Sequence, residues 1–137
     1  MRWVIHARPH VDRCACAWFV RRYVDPLATF EFVRRGEAIP KGATPFDVPG
    51  ARLGHRGRKV SFDAFLAEYP QNDDALERIA DLVRDIDLEE FRLPESRGLD
   101  TLLYGISLGE LDDAVVLYRT AALFDALLRF FREEAGR

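Results

Sequence analysis

The alternation of apolar and polar positions divides the chain into a short sheet-forming beginning and a helical remainder. Trp3 to Ala7 is a brief apolar run that predicts a buried strand, broken by Arg8-Pro9. Thr29 to Val33, TFEFV, alternates aromatic and polar residues as a half-buried strand does. Between them His10 to Pro26, HVDRCACAWFVRRYVDP, repeats apolar residues at three- and four-residue steps through Cys16, Phe19, Val20, Tyr23 and Val24. Ala15 and Trp18 widen that face, so the stretch predicts a central, largely buried helix and a β-α-β start. Asp12 is its expected N-cap, and Asp25-Pro26 its stop.

Arg34 to Gly50 carries six Gly or Pro residues and predicts a loop around one short strand, Pro45 to Val48. Leu53 to Phe62 reads as a hairpin turning at Arg56-Gly57-Arg58, with His55 beside the turn. Ser61 is the expected cap of a helix whose face is Phe62, Phe65, Leu66 and Tyr69, ended by Pro70. A second helix starts near Asp73-Asp74 with the stripe Leu76, Ile79, Ala80 and Val83. Eleven steps of about 100° from Leu76 return to that stripe at Asp87, so Asp87 should face inward and Asp85 the solvent. Leu88 to Arg97 reads as a polar loop and Gly98 to Leu108 as helix. Asp112 or Asp113 caps a final helix to about Glu134, with Val115, Tyr118, Leu123, Leu127 and Phe131 inward and Asp125 close to that face. These elements amount to an α+β fold: a small N-terminal sheet packed on a central helix, then a helical C-terminal half.

Composition narrows the classes. A chain of 137 residues, 48% hydrophobic, is expected to form one domain, residues 1–137, with a true core. Its net charge of -3 gives no electrostatic case for nucleic acid. The N-terminus lacks a secretory apolar run and no window approaches the roughly 20 apolar residues of a membrane span, so a cytoplasmic protein is expected. Cys14 and Cys16, two apart on one helix, point to nearly opposite sides and read as reduced, buried thiols. Arg13, Arg21 and Arg22 on a buried helix require carboxylate partners or an anionic ligand.

The order RPHVDRCACAWFVRRYVDP, TPFDVPG, HRGRKVSFDAFL, LVRDIDL and LFDALL resembles the C-terminal domain of the chromate resistance protein ChrB, over nearly the whole chain. That family is associated with bacterial chromate resistance and chromate-responsive regulation, so the resemblance implies a part in that stress response. It would also place a histidine where this chain has Arg84, a glutamate at Asp63 and a further histidine near Ala114. Larger regulators carry an additional N-terminal domain, so nucleic-acid binding by this domain alone is not expected.

Two kinds of chemistry fit these residues. Chromate is a tetrahedral dianion, suited to guanidinium forks and helix-start amides, which points to an anion site drawn from Asp12, Arg13, Arg21, Arg22, Arg56, Arg84 and Asp125. Arg21 lies about 12 Å along the helix axis from Arg13, too far to share one small ion from backbone position alone. The arginines could instead pair with Asp25, Asp47, Asp87 or Asp125 in a structural network. The second is a divalent-metal site or metalloenzyme, for iron, manganese or zinc, built from His55, Asp63 and Asp87. His6 and His10 read as structural. Nothing in the spacing decides between the two, or whether any reaction is catalysed.

Overall fold

The structure is a computed structural model and describes residues 1–136. Its N-terminal part is a three-stranded parallel sheet in the order β2-β1-β3, formed by β1 (Arg2–His6), β2 (Thr29–Val33) and β3 (Thr44–Pro45). In β1, Trp3, Val4 and Ile5 are all buried, because a central parallel strand is covered on both faces. Register runs from Arg2 opposite Thr29 to His6 opposite Val33. The third strand is shorter and earlier than expected: Phe46 still donates its N–H to the Val4 carbonyl, and the chain then turns away at Asp47.

The central helix forms as α1 (Val11–Phe19) and continues through a five-residue π-turn, Val20–Val24, before Asp25 ends it. Every residue of α1 except Arg13 is buried. Trp18 and Phe19 pack against Phe62, Phe65 and Phe124. Burial pushes the Cys14 thiol up to about 12 and raises that of Cys16 too, so both remain protonated packing groups.

Four helices complete the fold: α2 (Ser61–Glu68), α3 (Asp74–Asp87), α4 (Ser96–Leu108) and α5 (Asp113–Ala135). The small sheet and the helical C-terminal half make this an α+β fold. Asp112 caps α5 through the Ala114 N–H, as its sequence suggests. The inward face of α5 matches the expected one at Phe131, with Leu123 and Leu127 partly buried against the core, and differs elsewhere. Val116, Leu117, Thr120, Phe124, Leu128 and Phe131 are buried, whereas Tyr118 is 75% exposed. The helix is apolar on several sides, so periodicity alone selects a neighbouring stripe as readily as the true one. Among the described residues no helix is long and apolar enough to cross a membrane.

The two acids near the end of α3 also differ from expectation. Asp85 is buried, accepting N–H bonds from Arg92 and Leu93 at 2.9 Å each and the hydroxyl of Ser96. The segment between α3 and α4 folds back over this carboxylate, burying a side that helix periodicity assigns to solvent. Burial alone would raise its pKa, but these donors outweigh it and hold the carboxyl below its ordinary value. Asp87 is half-buried and borders a cavity rather than the core.

Candidate metal centre

Asp12 organises the site. It does not cap its own helix, where His10 holds the N-cap position without a side-chain bond. Instead it reaches across to α2: its two oxygens accept the N–H groups of Ser61 and Phe62, both at 2.9 Å. The positive ends of two helices therefore meet at a carboxylate that is 2% exposed. Ser61 lies inside α2 rather than at its cap, and its hydroxyl donates to Asp47 Oδ1 at 2.7 Å.

The expected hairpin is reduced to one bridge, Arg56 to Lys59, turning through Gly57 at φ 60°. The preceding turn presents His55. A Cβ on the buried Gly54 would lie 3.1 Å from the Ala51 carbonyl, a close contact that a side chain there would relieve only by displacing that carbonyl a few tenths of an ångström. His55 Nε2 lies 2.9 Å from Asp12 Oδ2, 3.2 Å from Asp47 Oδ1 and 3.4 Å from Asp87 Oδ2. Asp12, His55 and Asp87 can each offer a donor atom such that all three atoms lie within 4.8 Å of one another. Donors sharing one ion at about 2.1 Å sit about 3.0 Å apart at right angles and about 3.4 Å apart at tetrahedral angles, and the spacings of His55 Nε2 from the carboxylate oxygens fall in that range. The cluster opens on a cavity of about 480 Å³ that also meets His6, His10, Arg13, Arg35 and Arg56.

Without a metal, protons balance these charges. The hydrogen bond to Asp12, aided by the charges of Asp12, Asp47 and Asp87, outweighs desolvation and raises His55 to about 9. Burial and the Asp12 charge raise Asp47 to about 6, and the same two causes raise Asp87. Stability of the metal-free protein should therefore fall with rising pH. The His55 contribution is complete below its ordinary 6.5 and is lost as pH passes through about 9. The ring is 42% exposed, and allowing for solvent screening the loss is about 1 to 2 kcal/mol. Denaturant melts from pH 6.5 to 9 should show the decline in wild type and a flatter profile in His55→Gln, whereas parallel profiles would exclude His55 as its source.

The remaining expected site residues are distributed as follows. Asp63 lies outside the cluster: it accepts the Val60 N–H at 3.0 Å and pairs with Arg84 Nε at 2.9 Å. Arg84 also meets Asp81 at 3.0 Å, so it faces carboxylates rather than the cavity. Arg22 pairs with Asp125 at 3.1 Å, and Asp125 accepts the Trp18 indole N–H at 2.9 Å, which makes them a structural group on another face of the central helix. Arg21 lies over the Phe30 ring and donates to the Ala28 carbonyl. Arg13 remains at the site, its Nε 3.0 Å from Asp47 Oδ2; the contact is an ion pair without hydrogen-bond alignment, since that Nε has no hydrogen-bond partner. Arg56 borders the same cavity. His10 is held by Asp100 at 2.6 Å and by the Tyr104 ring.

Described as a ChrB C-terminal domain, a family model matches residues 3–131. The chain belongs to that family. Protein ChrB of Cupriavidus metallidurans is 31% identical over 137 residues, which is 99% of this chain and 42% of that relative's length. No solved structure matches. In this ChrB-family domain, the positions at which the resemblance implies a histidine and a glutamate are joined as the Arg84–Asp63 ion pair. The described residues that could together hold a metal ion are instead Asp12, His55 and Asp87, with Asp47 alongside. Asp47 was not an expected site residue; it stands in a loop with no periodicity, and only its place in the TPFDVPG motif marks it.

Proposed function

We propose that this domain serves chromate resistance by holding a divalent cation between Asp12, His55 and Asp87, with Asp47 as a fourth donor or close neighbour. The observation that carries this reading is the convergence of three carboxylates on one imidazole nitrogen within 3.4 Å. Three carboxylates crowded together repel one another, and a bound divalent cation offsets that repulsion more fully than the single proton on His55 does. The mixed imidazole and carboxylate set suits iron, manganese or zinc. The backbone N–H bonds to Asp12 orient one donor in advance, as hydrogen bonds to ligating carboxylates do in metal sites.

A bound cation would supply a Lewis acid with positions open to the cavity. Arg13, Arg35 and Arg56 border that cavity, which favours an anionic ligand over a neutral one there. On this reading the anion meets the cation and the arginine rim together, rather than the start of the central helix alone.

Elemental analysis of untagged protein purified without chelators should find near-stoichiometric metal. His55→Ala and Asp87→Asn should each weaken it about 100-fold while the fold is retained, and Asp63→Asn should leave occupancy unchanged. If Asp63→Asn removes metal as fully as His55→Ala does, the donor set is wrong.

A further inference from the structure

We propose that the outward face of α4 is a pairing surface on which a second copy of this chain docks, helix against helix and antiparallel. From Gly98 to Gly109 the only charged residue is Asp100, and it is held by His10 at 2.6 Å. Arg97, one residue earlier, lies over the Phe91 ring. Leu99 and Leu103 turn into the core. At about 100° per residue, Leu102, Gly98, Gly105 and Leu108 fall within an arc of about 120° beside them, and all four are exposed. Leu108 is 80% exposed and Leu111, just beyond the helix end, 90%, while Leu102 and Tyr104 are each more than half exposed. These four side chains leave on the order of 500 Å² of largely apolar surface in water, as much as each partner contributes to a specific interface of about 1,000 Å² in total.

The occupant is a second copy because the face is its own complement. When α4 is paired antiparallel with itself about a point between Leu103 and Tyr104, Leu102 stands level with Gly105 of the second copy, and Gly105 with its Leu102. Each leucine then fills the space beside a residue without a side chain, the reciprocal contact of a two-fold interface. Packing within this chain does not call for that glycine: glycine inside a helix weakens it relative to alanine, and a Cβ added at Gly98 or Gly105 would meet no atom within 4 Å. The lack of charge along the face also removes the repulsion that two identical charged faces would meet. At its edge the face reaches the metal cavity, since Tyr104 packs on His10 with ring centroids 4.4 Å apart and His10 borders that cavity.

The test is sedimentation velocity of the whole chain over a concentration series from about 1 to about 300 µM, in which the mass should pass from one chain to two with a midpoint in the micromolar range. Leu102→Glu places a charge at the centre of the interface and should weaken pairing at least about tenfold. Leu27→Glu, at a position 85% exposed between the central helix and β2, should change it less than about twofold. Gly105→Gln fills the space that the opposite leucine needs and should also weaken pairing about tenfold, while raising the melting temperature of the single chain, because glutamine favours a helix. That rise separates lost pairing from lost folding. An equal mixture of Leu102→Cys and Gly105→Cys chains should oxidise to linked pairs and Leu27→Cys chains should not; the native Cys14 and Cys16 are buried and do not compete. A single-chain mass at every concentration overturns the proposal and gives the face to a different partner. Pairing that Leu102→Glu and Gly105→Gln leave intact overturns it too, and failure of the cysteine mixture to link overturns the antiparallel arrangement.

Discussion

Asp12→Ala should lower the unfolding free energy by about 3 to 5 kcal/mol in chelator-treated protein, which is large for one small side chain. The substitution leaves the N–H groups of Ser61 and Phe62 buried without acceptors, and each unmet donor costs about 1 to 3 kcal/mol. It also removes the carboxylate closest to His55. One effect opposes the loss: Asp12 sits near Asp47 and Asp87 and raises both their pKa values, so its removal relieves repulsion. That relief is limited because at pH 7 the protonated His55 already offsets part of the repulsion among the three carboxylates. Asp12→Asn should fall between wild type and alanine, since an amide keeps one acceptor but turns an NH2 toward a donor. Urea melts at pH 7 measure the difference, and an alanine loss below about 1 kcal/mol would mean that α2 does not depend on this cap.

Asp85→Ala should cost about 3 to 4 kcal/mol through a different part of the molecule. Asp85 ties the α3–α4 connection to α3 by accepting the Arg92 and Leu93 N–H groups and the Ser96 hydroxyl. Without it, the N–H groups of Arg92 and Leu93 in the connection and the buried hydroxyl of Ser96 at the start of α4 lose their shared acceptor. Asp87→Ala, two residues later, should cost under about 1 kcal/mol in metal-free protein, because that carboxyl is only partly buried and among the described residues accepts no backbone hydrogen bond. The order of these two losses reverses the one that helix periodicity suggests. Equal losses at the two positions would contradict the assignment of Asp85 as a structural anchor.

The parts of the fold carried by local patterns were legible in the sequence. The apolar strand β1, the parallel β-α-β start, the central helix and the capped start of α5 each follow from a short-range signal of period, cap or breaker. What periodicity could not show was which long-range partner completes each polar group. Asp12 bears the signature of an N-cap, but its carboxylate accepts the first amides of α2, from across the fold, rather than those of α1. Asp63 and Asp87 each read as candidate metal donors. Only contact across the fold separates Asp87, beside His55, from Asp63, paired with Arg84. The side of α3 occupied by Asp85 looks solvent-facing until the following loop closes over it. His55 was legible because a histidine beside a glycine turn stands out from its surroundings, whereas Asp47 carries no periodic signal at all. The expected grouping of Arg13 with Arg84 separates in space, since Arg84 faces Asp63 and Asp81.

The central claim is that the Asp12, His55 and Asp87 cluster is a cation site, and the most direct measurement is titration of chelator-treated wild-type protein with manganese or zinc. At pH 7 the account predicts one saturable site and release of about one proton per ion, because a cation displaces the proton on His55. Binding should tighten as pH rises toward 9. Failure of both metals to bind, or binding that is unaffected by pH and by His55→Ala, would contradict it.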